Sequence, residues 1–578
     1  MIRAILLLTI LSLTIFASTK KIDDWDYNST VPRLKKNVNV KSISPMAMPM
    51  SAPMMKMSAR SLGLAVGGAK DTNNFFDNLK NDYLPKLDSI TYEGVFYQHY
   101  FDTGKNTKCD ELFCPSYSTA VQKNLFTDKR EYFLSVGLNS NLDSSKFKRK
   151  KLNIVVVLDI SGSMSSPFNS YYYDKNHKRH NIEDRKSKMQ IANKSIVAMM
   201  KHLKDVDSFG VVLFDNQAYK AKPLRSVAST DMEAIKKHIL ELKPRGGTNW
   251  KAGYDAGIKL FDSLDNAKKD PSIYENRIIF LTDAMPNSGE LSENGLFGMV
   301  DKASKKGIYT SFVGIGVDFN TDLVEKVSKT KGANYVAVHS LKEFRKRLDD
   351  EFDYMVTPLV FDVKLSLESN FYELDGVYGS PDANKATNTL LYINTLFPSA
   401  SKDEKVKGGI VLVKLKKLNN GDDIKLKVSY KTRDGKSYEN TQKVVLKDDL
   451  HFDNSGIKKA ILLSEYVTLI KNWLIDMRGA CNDEVSSAIP QPIPLYKRCL
   501  NYPPEHPNYQ KVKTWERKSC SLRVSDGYRK LFSIFSRKYV TFMKDLKDDS
   551  LKKEFKVLKK LSTSTKVIKG KKDDWELN

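Results

Sequence analysis

The chain has 578 residues, a net charge of +25, 41% hydrophobic residues and 28% charged residues. That length exceeds what one hydrophobic core serves, so two to four domains are expected, and the apolar fraction points to globular structure. The positive charge suits acidic surfaces such as polyanionic glycan, anionic lipid or nucleic acid. The lysines are spread through many segments, which describes a soluble Lys-rich surface, and no nucleic-acid-binding signature of the usual kinds is present.

In chain order, residues 1–18 read as a signal peptide: Arg3, an apolar run over 5–16, then the small residues Ala17 and Ser18. The run is short for a membrane span, and no later stretch reaches 18 apolar residues. A secreted protein with no membrane span and no lipid-anchor tail is therefore expected. Residues 19–75 are polar and then rich in Met, Pro and Ser, the composition of a flexible linker. The thioethers of Met46, Met48, Met50, Met54, Met55 and Met57 are Cu(I)-type donors, but the linker is the plainer reading. A β-rich flank is expected over 76–150, with strands at 89–103 and 131–138.

From 151 to 356 apolar strands alternate with helical periodicity. Strands are expected at 152–159, 208–214, 277–282, 308–316 and 334–338, and helices at 187–204, 231–242, 249–264, 295–306, 321–330 and 341–355. Strands apolar on both faces imply an α/β doubly wound parallel sheet. Over 357–450 the period changes to two, with strands at 359–367, 390–396, 408–416, 423–430 and 437–446 and turn signals at Asn420-Gly421 and Asp434-Gly435. This is an antiparallel β-sandwich. The α/β unit is expected to be inserted in this sandwich or followed by it; the strands before residue 140 lack nearby partners, and joining this β domain would make the unit an insertion. Residues 451–578 form a basic, helical, Cys-containing tail. Tyr528, Leu531, Phe535, Tyr539, Phe542 and Leu546 lie on one helical face, and 544–572 reads as solvated.

Five cysteines (Cys109, Cys114, Cys481, Cys499 and Cys520) in a secreted chain make disulfides plausible. The odd one leaves disulfide-linked self-association open. Asn28 and Asn193 fit the glycosylation acceptor pattern.

The chemistry concentrates in three stretches, VVVLDISGSM, RGGTNW and IIFLTDAMPN. Asp159 and Asp283 end apolar runs, at the carboxyl ends of parallel strands where doubly wound sheets bind ligands. Ser161 and Ser163 share one loop, and Gly246-Gly247 allows the tight bend that brings Thr248 to the same rim. Two carboxylates and three hydroxyls are hard donors suited to Mg²⁺, Mn²⁺ or Ca²⁺. If one carboxylate acts through water the ion stays net positive, and an outside carboxylate completes its shell.

DISGSM, GGTN and TDAMPN resemble the von Willebrand factor type A domain and its metal-ion-dependent adhesion site, over roughly 150–356. The resemblance implies that Ser161, Ser163 and Thr248 coordinate directly, with Asp159 and Asp283 direct or through water. The flanks SITYEGVFYQHYFDTG and VTPLVFDVKLSLES resemble a group of secreted single-domain type A proteins of bacteria and protists. A long insertion after the first motif, carrying Tyr171, Tyr172, Tyr173, His177 and His180, departs from the pattern. The expected function is cation-dependent adhesion to a protein ligand offering an Asp or Glu carboxylate. A structural matrix-like component and, more distantly, a hydrolase are the alternatives; no HExxH or GxSxG supports an enzyme.

Overall fold

The structure is a computed structural model that describes residues 21–28, 61–69, 72–104, 111–143, 147–167, 186–283, 295–315, 329–338, 348, 351–380, 382–384, 389–479, 520–565 and 567–568. Three strands of six or more residues precede the α/β unit, β1 (Ser61–Val66), β2 (Cys114–Lys123) and β3 (Arg130–Asp143), together with the helices α1 (Asn73–Lys80) and α2 (Tyr92–Phe96). The unit contributes β4 (Lys151–Asp159), β5 (Ser208–Phe214), β6 (Ala218–Ser226), β7 (Tyr274–Thr282), β8 (Ile308–Ile315) and β9 (Asn334–Val338). Six more follow: β10 (Val360–Glu368), β11 (Tyr372–Tyr378), β12 (Thr389–Ser399), β13 (Ile410–Lys417), β14 (Asp423–Thr432) and β15 (Ser437–Val445).

The strands on either side of the unit share one antiparallel sheet, in the order β11-β13-β3-β1-β12-β10-β14-β15, with β2 also paired to β3. The α/β unit is thus inserted. The expected sandwich is one continuous hydrogen-bonded sheet whose two halves share a core: Val136 and Val411 meet Val363 and Ile424 in one apolar cluster. Asp434-Gly435 closes the β14–β15 hairpin, with Gly435 at φ 83°. Asn420-Gly421 does not close a hairpin. β13 pairs with β3 and β11, and β14 pairs with β10 and β15, so this turn carries the chain between sheet halves.

The inserted sheet has the order β9-β8-β7-β4-β5-β6, parallel except for β6, with the short strand Gly68–Ala69 added in parallel outside β9. Its central strand β4 is apolar on both faces because both are covered. Ile154, Val156 and Leu158 enter one core, and Val155 and Val157 enter the other. Each such side chain contributes about 1.5–3 kcal/mol by burial. The covering helices described are α3 (Lys188–Met200), α4 (Met232–Glu241), α5 (Trp250–Leu260) and α6 (Leu296–Lys305). The expected helix 321–330, and most of 341–355, lie outside the described residues.

Three expectations are corrected. Residues 89–103 are not a strand. Thr91 caps a short helix (Tyr92–Phe96) by accepting from the Gly94 amide, and only Tyr100–Phe101 is extended. The aromatic richness that suggested a strand instead buries Phe96 and Phe101 against the C-terminal helices. Within 19–75, residues 61–66 form β1 in the middle of the large sheet and 21–28 dock on the α/β unit, so the linker reading does not hold there. The Met-rich stretch 46–57 lies outside the described residues. Within 544–572, a helix spans Lys552–Ser562 and buries Val557, Leu558 and Leu561, because its apolar residues recur at helical spacing. It packs with the helices Ser455–Gly479 and Asp526–Leu546, whose aromatic face lies in the same core. Among the described residues no helix is long and apolar enough to cross a membrane. Asn193 is buried in α3 and donates to the Leu242 carbonyl at 3.2 Å, so it is no accessible glycosylation acceptor. Cys114 and Cys520 each take part in a disulfide; Cys109, Cys481 and Cys499 lie outside the described residues.

One ionic cluster fixes the inserted unit on its host. Glu275, near the start of β7, is fully buried and pairs with Arg277 at 2.8 Å. Arg433, from the β14–β15 turn, reaches across to the other oxygen of Glu275 and donates to the carbonyls of Pro271 and Tyr274. Arg149, at the unit's entrance, pairs with Asp207 at 2.6 Å and with Asp353 at its exit at 2.9 Å. Removing the shared anion leaves two guanidiniums buried and unmatched. Glu275→Gln is expected to lower unfolding free energy by about 3–5 kcal/mol, read as a drop in the urea midpoint of the full chain. An unchanged midpoint sinks this account of the junction.

Candidate metal centre

β4 and β7 are neighbours in parallel register, with Leu158 opposite Leu281, so Asp159 ends its strand beside Thr282 and one step from Asp283. Asp159 is fully buried. Its Oδ1 accepts from the Ser161 amide at 2.8 Å and its Oδ2 from the Thr282 hydroxyl at 2.6 Å. Burial dominates its titration and pushes its pKa up to about 6 against these two hydrogen bonds.

The chain of contacts continues outward. The hydroxyls of Ser161 and Ser163 lie 3.0 Å apart, and Ser163 donates to Asp283 Oδ1 at 2.7 Å. Asp283 Oδ2 takes the Lys188 ammonium at 2.9 Å. Lys188 opens α3, whose N-terminus carries a capping box between Ser187 and Gln190. Its amide donates to the Ser166 carbonyl at 3.0 Å. Pro167 and Ser187 are bridged, so the insertion 168–185 departs and returns at one point beside these loops. The insertion, with Tyr171, Tyr172, Tyr173, His177 and His180, is itself outside the described residues.

The turn with Thr248 is held against the first loop by backbone. The Gly162 amide donates to the Gly246 carbonyl at 2.9 Å, and the Arg245 amide to the Ile160 carbonyl at 2.5 Å. Gly246 takes a φ of 69°, where a Cβ would also meet the Asp215 side chain at 3.0 Å. Asn249 then caps α5 by accepting from the Ala252 amide at 3.0 Å. Thr248 is exposed at this rim. Asp159, Ser161, Ser163 and Asp283 thus form one hydrogen-bonded chain, and Thr248 is brought to it through Gly246 rather than by a side-chain bond. Sequence reasoning missed Thr282 and Lys188. Thr282 was legible as the residue just before Asp283 on β7, while Lys188 follows an insertion of arbitrary length.

The donor set fits a hard divalent cation: two carboxylates and the hydroxyls of Ser161, Ser163 and Thr248. Among the described residues no group of three or more carboxylate, imidazole or thiol side chains is placed to hold a metal. An ion here therefore depends on the hydroxyls. The Lys188 ammonium already meets part of the negative charge that a cation would neutralise.

Residues 153–350 match the family model of the von Willebrand factor type A domain, and the chain carries such a domain there. It is 25% identical over 225 residues to the mouse protein "Inter alpha-trypsin inhibitor, heavy chain 4", covering 38% of this chain and 21% of that one. It is 24% identical over 219 residues to "Uncharacterized protein YfbK" of Escherichia coli, covering 38% and 34%. The chain thus spans a third or less of the length of these curated relatives. A solved "von Willebrand factor type A from Catenulispora acidiphila" aligns over 66% of this chain and 84% of its own, at 15% identity and a TM-score of 0.39.

The raised pKa of Asp159 has a defined sign. A folded-state value near 6, above the ordinary 3.8, means that the metal-free fold prefers the proton. Metal-free protein is therefore destabilised as pH rises from about 4 to about 6, by up to roughly 3 kcal/mol. Asp159→Asn is expected to remove that slope. Thermal melts of both proteins in chelator across this range check it, and parallel curves would refute it.

Proposed function

We propose that this chain, with its von Willebrand factor type A domain at 153–350, is a secreted divalent-cation-dependent binding protein that captures an Asp or Glu carboxylate of a protein partner. Domains of this family typically mediate protein–protein interaction. The observation that carries the reading is the hydrogen-bonded chain from Asp159 through Ser161 and Ser163 to Asp283, at the carboxyl ends of β4 and β7. Asp159, Ser161, Ser163, Thr248 and Asp283 would hold the ion, Mg²⁺ foremost and Mn²⁺ or Ca²⁺ in its place. When bound, the ion supplies a positive, partly dehydrated point to which an outside carboxylate adds as a ligand.

The chain's own residues support binding over hydrolysis. Both oxygens of Asp159 already accept bonds from Ser161 and Thr282, and both oxygens of Asp283 are engaged by Ser163 and Lys188. Among the described residues no imidazole enters these contacts as a general base, and the remaining lone pairs of the carboxylate oxygens would take the ion.

Calorimetric titration of the chelator-treated chain with Mg²⁺ is expected to show one site that Asp159→Ala abolishes. Partner capture is expected to disappear with that variant and with EDTA alike; capture indifferent to both defeats the reading. Lys188→Met is expected to raise cation affinity several-fold, up to about tenfold, because it removes a like charge from beside the ion. Unchanged or weaker Mg²⁺ binding in that variant would show that Lys188 does not compete.

A further inference from the structure

Two segments of this chain carry one pattern. Residues 23–28 read Asp-Asp-Trp-Asp-Tyr-Asn and residues 573–578 read Asp-Asp-Trp-Glu-Leu-Asn; Lys571-Lys572 adjoin the second, and Lys20-Lys21 precede the first with Ile22 between. Four of six positions are identical, one exchanges Asp for Glu, and one exchanges Tyr for Leu. The first copy is docked in a groove along β6 and the start of α4.

The docked copy is held by main chain and side chain together. The Ile22 amide donates to the Ser229 carbonyl, and the Asp231 amide to the Ile22 carbonyl, both at 2.9 Å. The Asp26 amide donates to the Ala221 carbonyl at 2.8 Å. Asp23 meets His238 Nε2 at 2.9 Å, and the Trp25 indole stacks on the same imidazole, with centroids 5.3 Å apart. Asp24 pairs at 3.3 Å with Lys222, whose side chain is fully buried. Tyr27 packs edge-on against Tyr219, and the Arg245 guanidinium lies 5.7 Å from its ring.

Lys222 makes this a built site. A buried ammonium needs an anion, since leaving one unmatched costs several kcal/mol. Its other partners are the neutral carbonyls of Phe209 and Pro223. The groove therefore selects a sequence: a carboxylate at the second position, an indole at the third, a free amide at the fourth and a bulky group at the fifth. Asp574, Trp575, Glu576 and Leu577 meet each requirement in order. Leu577 gives Arg245 no ring to cover, so the second copy binds less tightly than the first.

We propose that the groove along β6 and α4 also accepts the segment 573–578 of a second copy of this chain, which exchanges with 23–28 and joins copies head to tail. Reach favours a second copy over the chain's own tail. The tail leaves at Ile568, whose strand pairs with Val524–Ser525 at the start of the helix Asp526–Leu546. Between Ile568 and Asp573 the chain spans at most about 18 Å. The groove lies along β6 at the far edge of the inserted sheet, six strand spacings, or about 29 Å, from the Gly68–Ala69 edge that runs on from β1 of the antiparallel domain.

The test uses the full chain carrying Trp25→Ala, which loosens the resident segment. A labelled peptide of residues 571–578 is titrated against it by fluorescence anisotropy, with a peptide of residues 20–28 as comparison. Saturable binding of both is expected, weakened at least about tenfold by Lys222→Met in the protein or by alanine at the peptide's tryptophan. In sedimentation, the Trp25→Ala chain is expected to form concentration-dependent oligomers that adding Trp575→Ala abolishes. Failure of the 571–578 peptide to bind overturns the proposal. So does a Trp25→Ala chain that stays monomeric and accepts peptide only once Trp575→Ala is added, which would mean that the tail docks on its own chain.

Discussion

The structure depends on a single buried anion. Glu275 has no solvent and lies between two guanidiniums, one from its own strand and one from the host domain. Buried charges survive only when matched, so the inserted unit and the antiparallel domain have one acceptable relative placement. Arg149 repeats the device where the chain enters, clasping Asp207 within the unit and Asp353 at its exit. Beside the entry and exit crossings, Gly68–Ala69 runs on from β1 of the host and pairs with β9 of the unit. Here both crossings are pinned by charge, with Tyr309 stacked on Phe361 beside them.

The candidate site is built by the opposite strategy. Asp159 is as buried as Glu275 but has no cation in contact, only a hydroxyl and an amide. Its proton affinity rises accordingly. Asp283 one strand over borrows the ammonium of Lys188. A pair of buried carboxylates served by one ammonium is short of positive charge, which is the condition a dication relieves. The anions named at the junction each meet a guanidinium, whereas among the described residues Asp159 at the rim meets no cation, and that contrast separates the anchor from the rim.

Much of this was legible in the sequence, for definable reasons. β4, β5 and β7 are apolar on both faces, so their runs stand out, and Asp159 and Asp283, at the ends of β4 and β7, are candidate site residues on sequence alone. The edge strand β6 was missed because Lys220, Lys222 and Pro223 interrupt its apolar pattern; an edge tolerates proline, and Lys222 is buried only by virtue of a segment about 200 residues earlier. The segment 89–103 was misread because aromatic residues favour strands on average, whereas Thr91 supplies a helix cap that composition does not weigh. Asn420-Gly421 has hairpin chemistry, but its flanking strands find better partners elsewhere in the sheet. Glu275 and Arg433 could not be paired in advance, since their contact spans a separation only the fold closes.

β7 carries Glu275 near its beginning and leads into Asp283 at its end. The anchor and the rim are thus two ends of one strand, roughly 30 Å long. It is flanked on both sides by parallel strands, β4 and β8. Tension applied at the rim runs along the axis of β7 to the guanidinium clasp. The interstrand hydrogen bonds on its two edges lie across that direction and are strained together in shear rather than opened one at a time. The same pull on the β14–β15 hairpin, whose turn holds the clasp, would arrive at its tip and unzip it. The mechanical weak point of the assembly is therefore the hairpin of the host and not the inserted domain.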